Sequence, residues 1–170
     1  KRLMEDVLYL DRKKSITFTG HRIIPLVRQK EVRERLEEAV ALACKSDMTR
    51  FYCGMALGFD MMAAEVVLSL KDKFPDIQLI AIVPFLGQSS RWGSFEQERY
   101  CQILAGANKV VVLSENYFRG CLLRRNDYML SHSCGVIAYY DGKLKGGTYY
   151  TVRKAGRMEM DVVNICDQRG

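Results

Sequence analysis

The sequence predicts an α/β fold, a three-layer, Rossmann-like, doubly wound and mostly parallel sheet of about six strands, in a single domain over residues 1–170. Three observations carry this expectation. Short β-rich runs alternate with stretches of helical apolar period along the whole chain. The strands are near-continuously apolar, as strands covered on both faces are. Glycine and polar residues gather just after each strand, at the edge where such sheets hold ligands.

Taken in order, Ile16–Thr19 reads as the first strand and ends in Gly20. Between Glu31 and Cys44 the residues Val32, Leu36, Ala39, Val40 and Ala43 recur at helical spacing. Thr49–Cys53 is the second strand. A helix follows from Phe59 to Lys73, with Met62, Ala63, Val66, Val67 and Leu70 on its inner face, and Phe74-Pro75-Asp76 breaks it. Ile77–Val83 is a third strand, closed by Pro84. Ser94-Phe95-Glu96-Gln97 has the form of a capping box that opens a helix to Ala105. Val110–Leu113 is the fourth strand. Leu122, Leu123, Met129 and Leu130 mark a helix that carries Arg125-Asn126-Asp127. Val136–Tyr140 is the fifth strand, Tyr149–Gly156 a last helix and Asp161–Cys166 the sixth strand. No repeat, linker or low-complexity tract interrupts the series.

Composition narrows the class. A chain of 170 residues with 48% hydrophobic and 27% charged residues can build one ordinary core, which excludes a disordered protein. No apolar stretch approaches the ~20 residues that cross a bilayer, so no membrane partner is expected. The first apolar segment is short and strand-like, and no secretory signal peptide is expected. The six cysteines form no CxxC pair and most sit in apolar patterns, which favours reduced thiols and a cytoplasmic setting. With two histidines, His21 and His132, no metal site is expected. The net charge of +6 is regional: eight of the 26 basic but two of the 20 acidic residues lie between Arg119 and Arg157, so that segment carries the whole excess. It reads as one wall of an anion-accepting pocket.

The strand ends supply the candidate ligands. Gly54 and Gly58 flank a strand-to-helix turn before Phe59 and Asp60, where a ligand can approach backbone and a helix N-terminus can face an anion. The spacing matches neither GxGxxG nor a P-loop. Asp60 either caps its helix or accepts from a ribose hydroxyl. Gly20-His21-Arg22 offers a guanidinium for phosphate with His21 beside it. Pro84 and Asn116 follow the third and fourth strands. Gly146-Gly147-Thr148 forms a second nest before the last helix, with Thr148 as a candidate N-cap. Arg125 and Asn126 share a helix turn with apolar residues, so Asn126 can point inward. Trp92 is read first as a packing residue and second as a base-stacking platform. Glu65 and Glu96 are carboxylates that spacing cannot pair.

The ordered set Thr19-Gly20-His21-Arg22, Gly54-Met55-Ala56-Leu57-Gly58-Phe59-Asp60 with Ala63-Ala64-Glu65, Pro84-Phe85, Trp92, Arg125-Asn126-Asp127, Val136–Tyr140 and Gly146-Gly147-Thr148 resembles the YpsA-like family of the SLOG superfamily over nearly the whole chain. It is also similar to the DNA-processing protein A branch, with its G-x-A-x-G-[IF]-D segment, RNR element and G-[ST] helix start. The resemblance implies a pocket for a nucleotide or nucleotide-derived molecule, lined by Gly20, Arg22, Gly54, Gly58, Asp60, Asn126, Gly147 and Thr148. The LOG branch of phosphoribohydrolases carries PGGxGTxxE. Here the matching stretch is Lys145-Gly146-Gly147-Thr148-Tyr149-Tyr150-Thr151, with Thr151 where the carboxylate belongs, and Asp127 replaces the last arginine of RNR.

The leading expectation is a binding or sensing module for a nucleotide-like ligand, with no cofactor required. The second is a nucleoside monophosphate phosphoribohydrolase in which Glu65 or Glu96 substitutes for the missing carboxylate. The third is single-stranded nucleic-acid binding, from the basic segment and its interleaved tyrosines. A homo-oligomer is left open.

Overall fold

The computed structural model describes residues 11–166. Six strands form one sheet, each parallel to its neighbours, in the order β4-β3-β2-β1-β5-β6. The strands are β1 (Ser15–Gly20), β2 (Arg50–Cys53), β3 (Gln78–Val83), β4 (Lys109–Val112), β5 (Gly135–Tyr139) and β6 (Asp161–Asn164). The helices between them are α1 (Gln29–Lys45), α2 (Phe59–Leu70), α3 (Ser94–Gly106), α4 (Cys121–Ser131) and α5 (Gly147–Arg157). A single 3-10 turn, Leu26–Arg28, leads into α1. The Rossmann-like α/β architecture expected from the alternation is the one found, with every strand pair parallel.

The chain steps outward from β1 to β4 with α1, α2 and α3 packed side by side on one face. It then returns through α4 on the other face and places β5 on the far side of β1. The direction of winding therefore reverses between β1 and β5, whose last residues Gly20 and Tyr139 are in register. A parallel sheet opens a crevice at such a switch, beyond the carboxyl ends of its strands.

Burial explains why these segments take these roles. On the α1–α3 face, Phe18 stacks on Phe51 with ring centroids 5.8 Å apart, and Phe59 meets Phe18 edge-on at 6.3 Å. All three rings are fully buried and join Leu36, Val40 and Val66 in the largest core cluster. On the other face Met129 covers Tyr52, Ile80 and Ile82, while Leu130 and Ala155 cover Val136 and Ala138. Thr17 faces this side, and its hydroxyl is held by Ser133 Oγ at 2.7 Å and the Met129 carbonyl at 3.0 Å, so no polar group is stranded there.

Three expectations need correction. The edge strands are not covered on both faces: Val110 and Val112 in β4 and Val163 in β6 stay 42–51% exposed, because on the α1–α3 face the helix layer stops short of the outermost strands, while α5 covers β6 from the other side. Ser94 does not cap α3. Gly93 occupies the N-cap and receives the Gln97 N–H at 3.0 Å, while Glu96 turns to Arg99 instead of reaching back. Thr148 is not a cap either. Helix α5 starts at Gly147, with Gly146 as N-cap, which makes Thr148 a buried residue of the first turn.

Candidate functional site

The site grows from the first strand-to-helix connections. Gly20 ends β1 against the ring of Phe59, and a Cβ there would lie 2.4 Å from that ring. Gly58, at φ +81°, packs so closely under Arg22 that a Cβ would meet the Arg22 carbonyl at 2.1 Å. The Phe59 N–H donates to the His21 carbonyl at 3.1 Å. These approaches lock the end of β1 to the start of α2. The intervening Met55 is held at φ +60° although fully buried, a conformation that costs a non-glycine residue of order 1 kcal/mol or more.

Beneath this junction sits a buried pair of opposite charge. Asp60, in the first turn of α2, accepts the Ala56 N–H through Oδ2 at 3.2 Å. Its Oδ1 is the one buried side-chain polar atom among the described residues without a hydrogen bond. Burial pushes the Asp60 carboxyl up to about 6, against the pull of Arg125, the Ala56 N–H and Arg22. Arg125 projects from α4, is 6% exposed, and donates to the Gly54 carbonyl at 2.9 Å and to Asn126 Oδ1 at 3.1 Å. Burial lowers its pKa, and Asp60 opposes that shift. A Cβ on Gly54 would sit 2.7 Å from the Arg125 side chain, so this glycine makes room for the guanidinium and not for a ligand.

A cleft of about 460 Å³ opens above this pair at the β1/β5 switch. It brings together Gly20, His21, Arg22, Asp60, Arg125, Asn126, Gly146, Gly147 and Thr148 from four separate parts of the chain. The exposed N-terminus of α5 forms one wall, with its first N–H groups and positive dipole end. Asn126 lies beside it, since a Cβ on Gly147 would be 3.7 Å from Asn126 Nδ2. His21 is fixed from the opposite side: the Asp141 N–H donates to its Nε2 at 2.9 Å.

The remaining sequence candidates stand elsewhere. Gly54, Gly58, Phe59 and Pro84 do not line the cleft but shape it from beneath. The α2 start is not an open anion site, because Phe59 N–H is taken by His21 and the buried Asp60 carboxylate occupies the first turn. Glu65 and Glu96 lie on the outer helix layer, where Arg99 bridges them: Arg99 Nε donates to Glu65 at 3.0 Å and Nη1 to Glu96 at 3.3 Å. Neither glutamate lines the cleft. Thr151 donates to the Gly147 carbonyl and is fully buried. His132 bonds through Nδ1 with the Tyr128 carbonyl and stacks on the Tyr128 ring.

A second, larger chamber of about 800 Å³ continues from the cleft past the ends of β2, β3 and β4. Asn116 belongs to this chamber, together with Phe85, Gln88, Arg91, Trp92 and Tyr117. Arg22, Ala56, Tyr117 and Leu122 border both spaces. Lys145 and Tyr117 are lining residues that are not among the sequence candidates for the site, although Lys145 stands in the basic segment before the Gly-Gly-Thr helix start and Tyr117 just after the fourth strand. The basic segment is also redistributed. Of its eight cations only Arg125 and Lys145 line the cleft, while Lys154 pairs with Asp127 at 2.7 Å and Arg153 bonds Tyr149 at 2.8 Å. The other cations at the site, Arg22 and Arg91, come from the remainder of the chain, outside Arg119–Arg157, whose net charge is zero.

The fold agrees with what the chain resembles among known proteins. The model of the YpsA family, described as the YspA SLOG family, matches residues 17–165. A UPF0398 protein of Halalkalibacterium halodurans is 28% identical over 130 residues, 75% of this chain and 69% of that protein. A UPF0398 protein of Shouchella clausii is 35% identical over 102 residues, 58% and 54% of the two chains. The uncharacterized SPbeta prophage-derived protein YoqJ of Bacillus subtilis is 31% identical over 117 residues, 62% and 68%. The matched part thus spans between 54% and 69% of these relatives. Among solved structures, DNA processing protein A from Helicobacter pylori, studied for its single-stranded DNA binding, superposes with a TM-score of 0.60 at 19% identity, over 92% of this chain and 66% of that one. The fold is shared with that protein, and with the family model matching from within β1 to just beyond β6 the chain belongs to the YpsA family of SLOG proteins.

Proposed function

We propose that the cleft at the β1/β5 switch binds a nucleotide or nucleotide-derived small molecule, as a holding or sensing site without a catalytic carboxylate of its own. The observation that carries this reading is the buried Asp60 Oδ1 without a partner, set in the same cleft as the open N-terminus of α5. A buried acceptor of this kind calls for a donor, and a ribose hydroxyl supplies one. An anion is favoured at the helix end across the cleft, with Arg22 and Lys145 available to it. Phosphate and hydroxyl are therefore sorted: the glycine helix start takes the charge and Asp60 takes the sugar. The phosphoribohydrolase reading has less support, because Thr151 replaces the carboxylate and Glu65 and Glu96 face Arg99 outside the cleft. The cysteine pattern keeps a reducing cytoplasm as the proposed setting.

Single-stranded nucleic-acid binding is the second reading, favoured by the fold shared with DNA processing protein A. Calorimetric titration separates the two. Nucleoside mono- and diphosphates, ADP-ribose, unphosphorylated nucleosides and a thymidine oligonucleotide are compared. The proposal expects one phosphate-bearing small molecule per chain and no binding of the nucleosides. It fails if none of the phosphates binds, or if only the oligonucleotide does.

A further inference from the structure

The second chamber is not explained by phosphate and ribose. Its walls are aromatic yet lie outside the cores: Phe85, from the loop after β3, and Tyr117, from the loop after β4, meet edge-to-face at 5.4 Å and belong to none of the core clusters. Tyr117 is 64% exposed. Trp92 faces the same space and is held edge-on against Tyr100 at 5.2 Å. The loop after β3, which carries Phe85 and Trp92, is anchored, since Gln88 Nε2 donates to the Gly54 carbonyl at 3.3 Å and its Oε1 accepts from Tyr100 at 3.3 Å. Phe85 and Tyr117 lie outside the core clusters, and the half-buried Trp92, packed against the core from its edge, still turns toward the chamber, so the three rings are suited to a planar partner. Asn116 adds a side-chain amide, which can both donate and accept at the edge of such a partner.

Resting on the nucleotide reading above, we infer that this chamber takes the heterocyclic base of a nucleoside 5′-phosphate, with its phosphate at the start of α5 and its ribose passing Asp60. Continuity supports it, because Arg22, Ala56, Tyr117 and Leu122 border both spaces. So does chemistry: an aliphatic guest would leave Asn116 and Arg91 unmatched, and a second phosphate would leave the rings unused. The base contributes through stacking, which is worth about tenfold or more in affinity when one ring is removed.

Trp92 is the single tryptophan of the chain, so its fluorescence reports the chamber directly. AMP, GMP, CMP and UMP are titrated beside ribose 5-phosphate, with binding followed by calorimetry and by Trp92 emission. The expected result is at least one monophosphate that binds about tenfold tighter than ribose 5-phosphate and changes the emission, while ribose 5-phosphate binds with the emission unchanged. In Phe85→Ala the tighter monophosphate falls to the level of ribose 5-phosphate. Should that variant fail to fold, the wild-type comparison of the two ligands decides alone. Equal affinities for ribose 5-phosphate and all four monophosphates, with silent emission, overturn the base chamber and leave the phosphate cleft standing. Binding by neither class overturns both. A fluorescence response to a thymidine oligonucleotide alone assigns the chamber to a polynucleotide and also overturns the inference.

Discussion

Asp60 concentrates the chemistry of the molecule in one side chain. The first turn of a helix and the neighbouring Arg125 both favour its ionised form, but burial wins and lifts the carboxyl to about 6. An acid whose folded-state pKa is raised stabilises the fold at low pH, and that contribution is lost as pH rises through the raised value. From 3.8 to about 6, the shift corresponds to on the order of 3 kcal/mol. Between about pH 4 and pH 7 the wild-type chain is therefore expected to lose roughly that much stability relative to Asp60→Asn, whose side chain does not titrate. Urea unfolding of the two proteins across this range checks it; parallel profiles would show that Asp60 is not desolvated. The same residue illustrates what sequence could reveal. Its place in G-x-A-x-G-F-D marked it, but nothing in the motif tells that Oδ1 lacks a partner or that Arg125, 65 positions later in the chain, lies close enough to oppose its shift. Arg125 is a candidate from its helix turn, but its burial against Gly54 and its charge opposing the shift of Asp60 are visible only in the structure.

At the scale of elements, the two glycine-led helix starts turn out to do different work. Gly58 is required by backbone geometry and by contact, since at φ +81° its Cα lies under the Arg22 carbonyl. Gly58→Ala is expected to cost about 2–3 kcal/mol or more in chemical denaturation, through strain and overpacking together. Gly146 also has a positive φ, +95°, but nothing within 4 Å would meet a Cβ. Gly146→Ala is thus expected to cost only backbone strain, about 1–3 kcal/mol, and to displace the α5 start; the check is a fall in nucleotide affinity larger than the fall in stability. Helix periodicity located both starts within two residues. It could not show that α2 begins closed, with its first N–H bonded to His21 and a carboxylate already in its first turn, while α5 begins open. That distinction depends on how β1, α2 and α4 meet, which no local pattern encodes. The capping box misled for a related reason: Ser94-x-x-Gln97 satisfies the motif's composition, but the Gln97 amide donates to the Ser89 and Ser90 carbonyls and Gly93 takes the cap.

For the whole molecule, alternation of strand and helix was enough to give the sheet and its parallel sense, because buried parallel strands carry unusually apolar runs. The exposed rim at β4 and β6 was hidden by the same runs, since valines occur at covered and uncovered positions alike. Net charge was the least faithful guide. Its excess lies in Arg119–Arg157, yet half of the four cations at the site come from outside that segment. With so few cations in the cleft, nucleotide affinity is expected to fall gently with salt, a log–log slope of about −1 to −2, whereas an oligonucleotide tracking the basic surface would show about −0.7 for each phosphate engaged. Titrations at several salt concentrations distinguish these slopes.

The central claim is that the α5 start is a phosphate site, and Gly147→Glu tests it most directly. A side chain fits there, as its Cβ would make only an ordinary contact with Asn126, and a carboxylate in the first turn favours the helix by about 0.3–1 kcal/mol. Calorimetric titration of nucleoside 5′-monophosphates into both proteins is expected to show one site in the wild type and at least about tenfold weaker binding in Gly147→Glu, with the thermal midpoint of the variant equal or higher. Undiminished binding in a folded Gly147→Glu variant, or no binding to the wild type, would contradict the account.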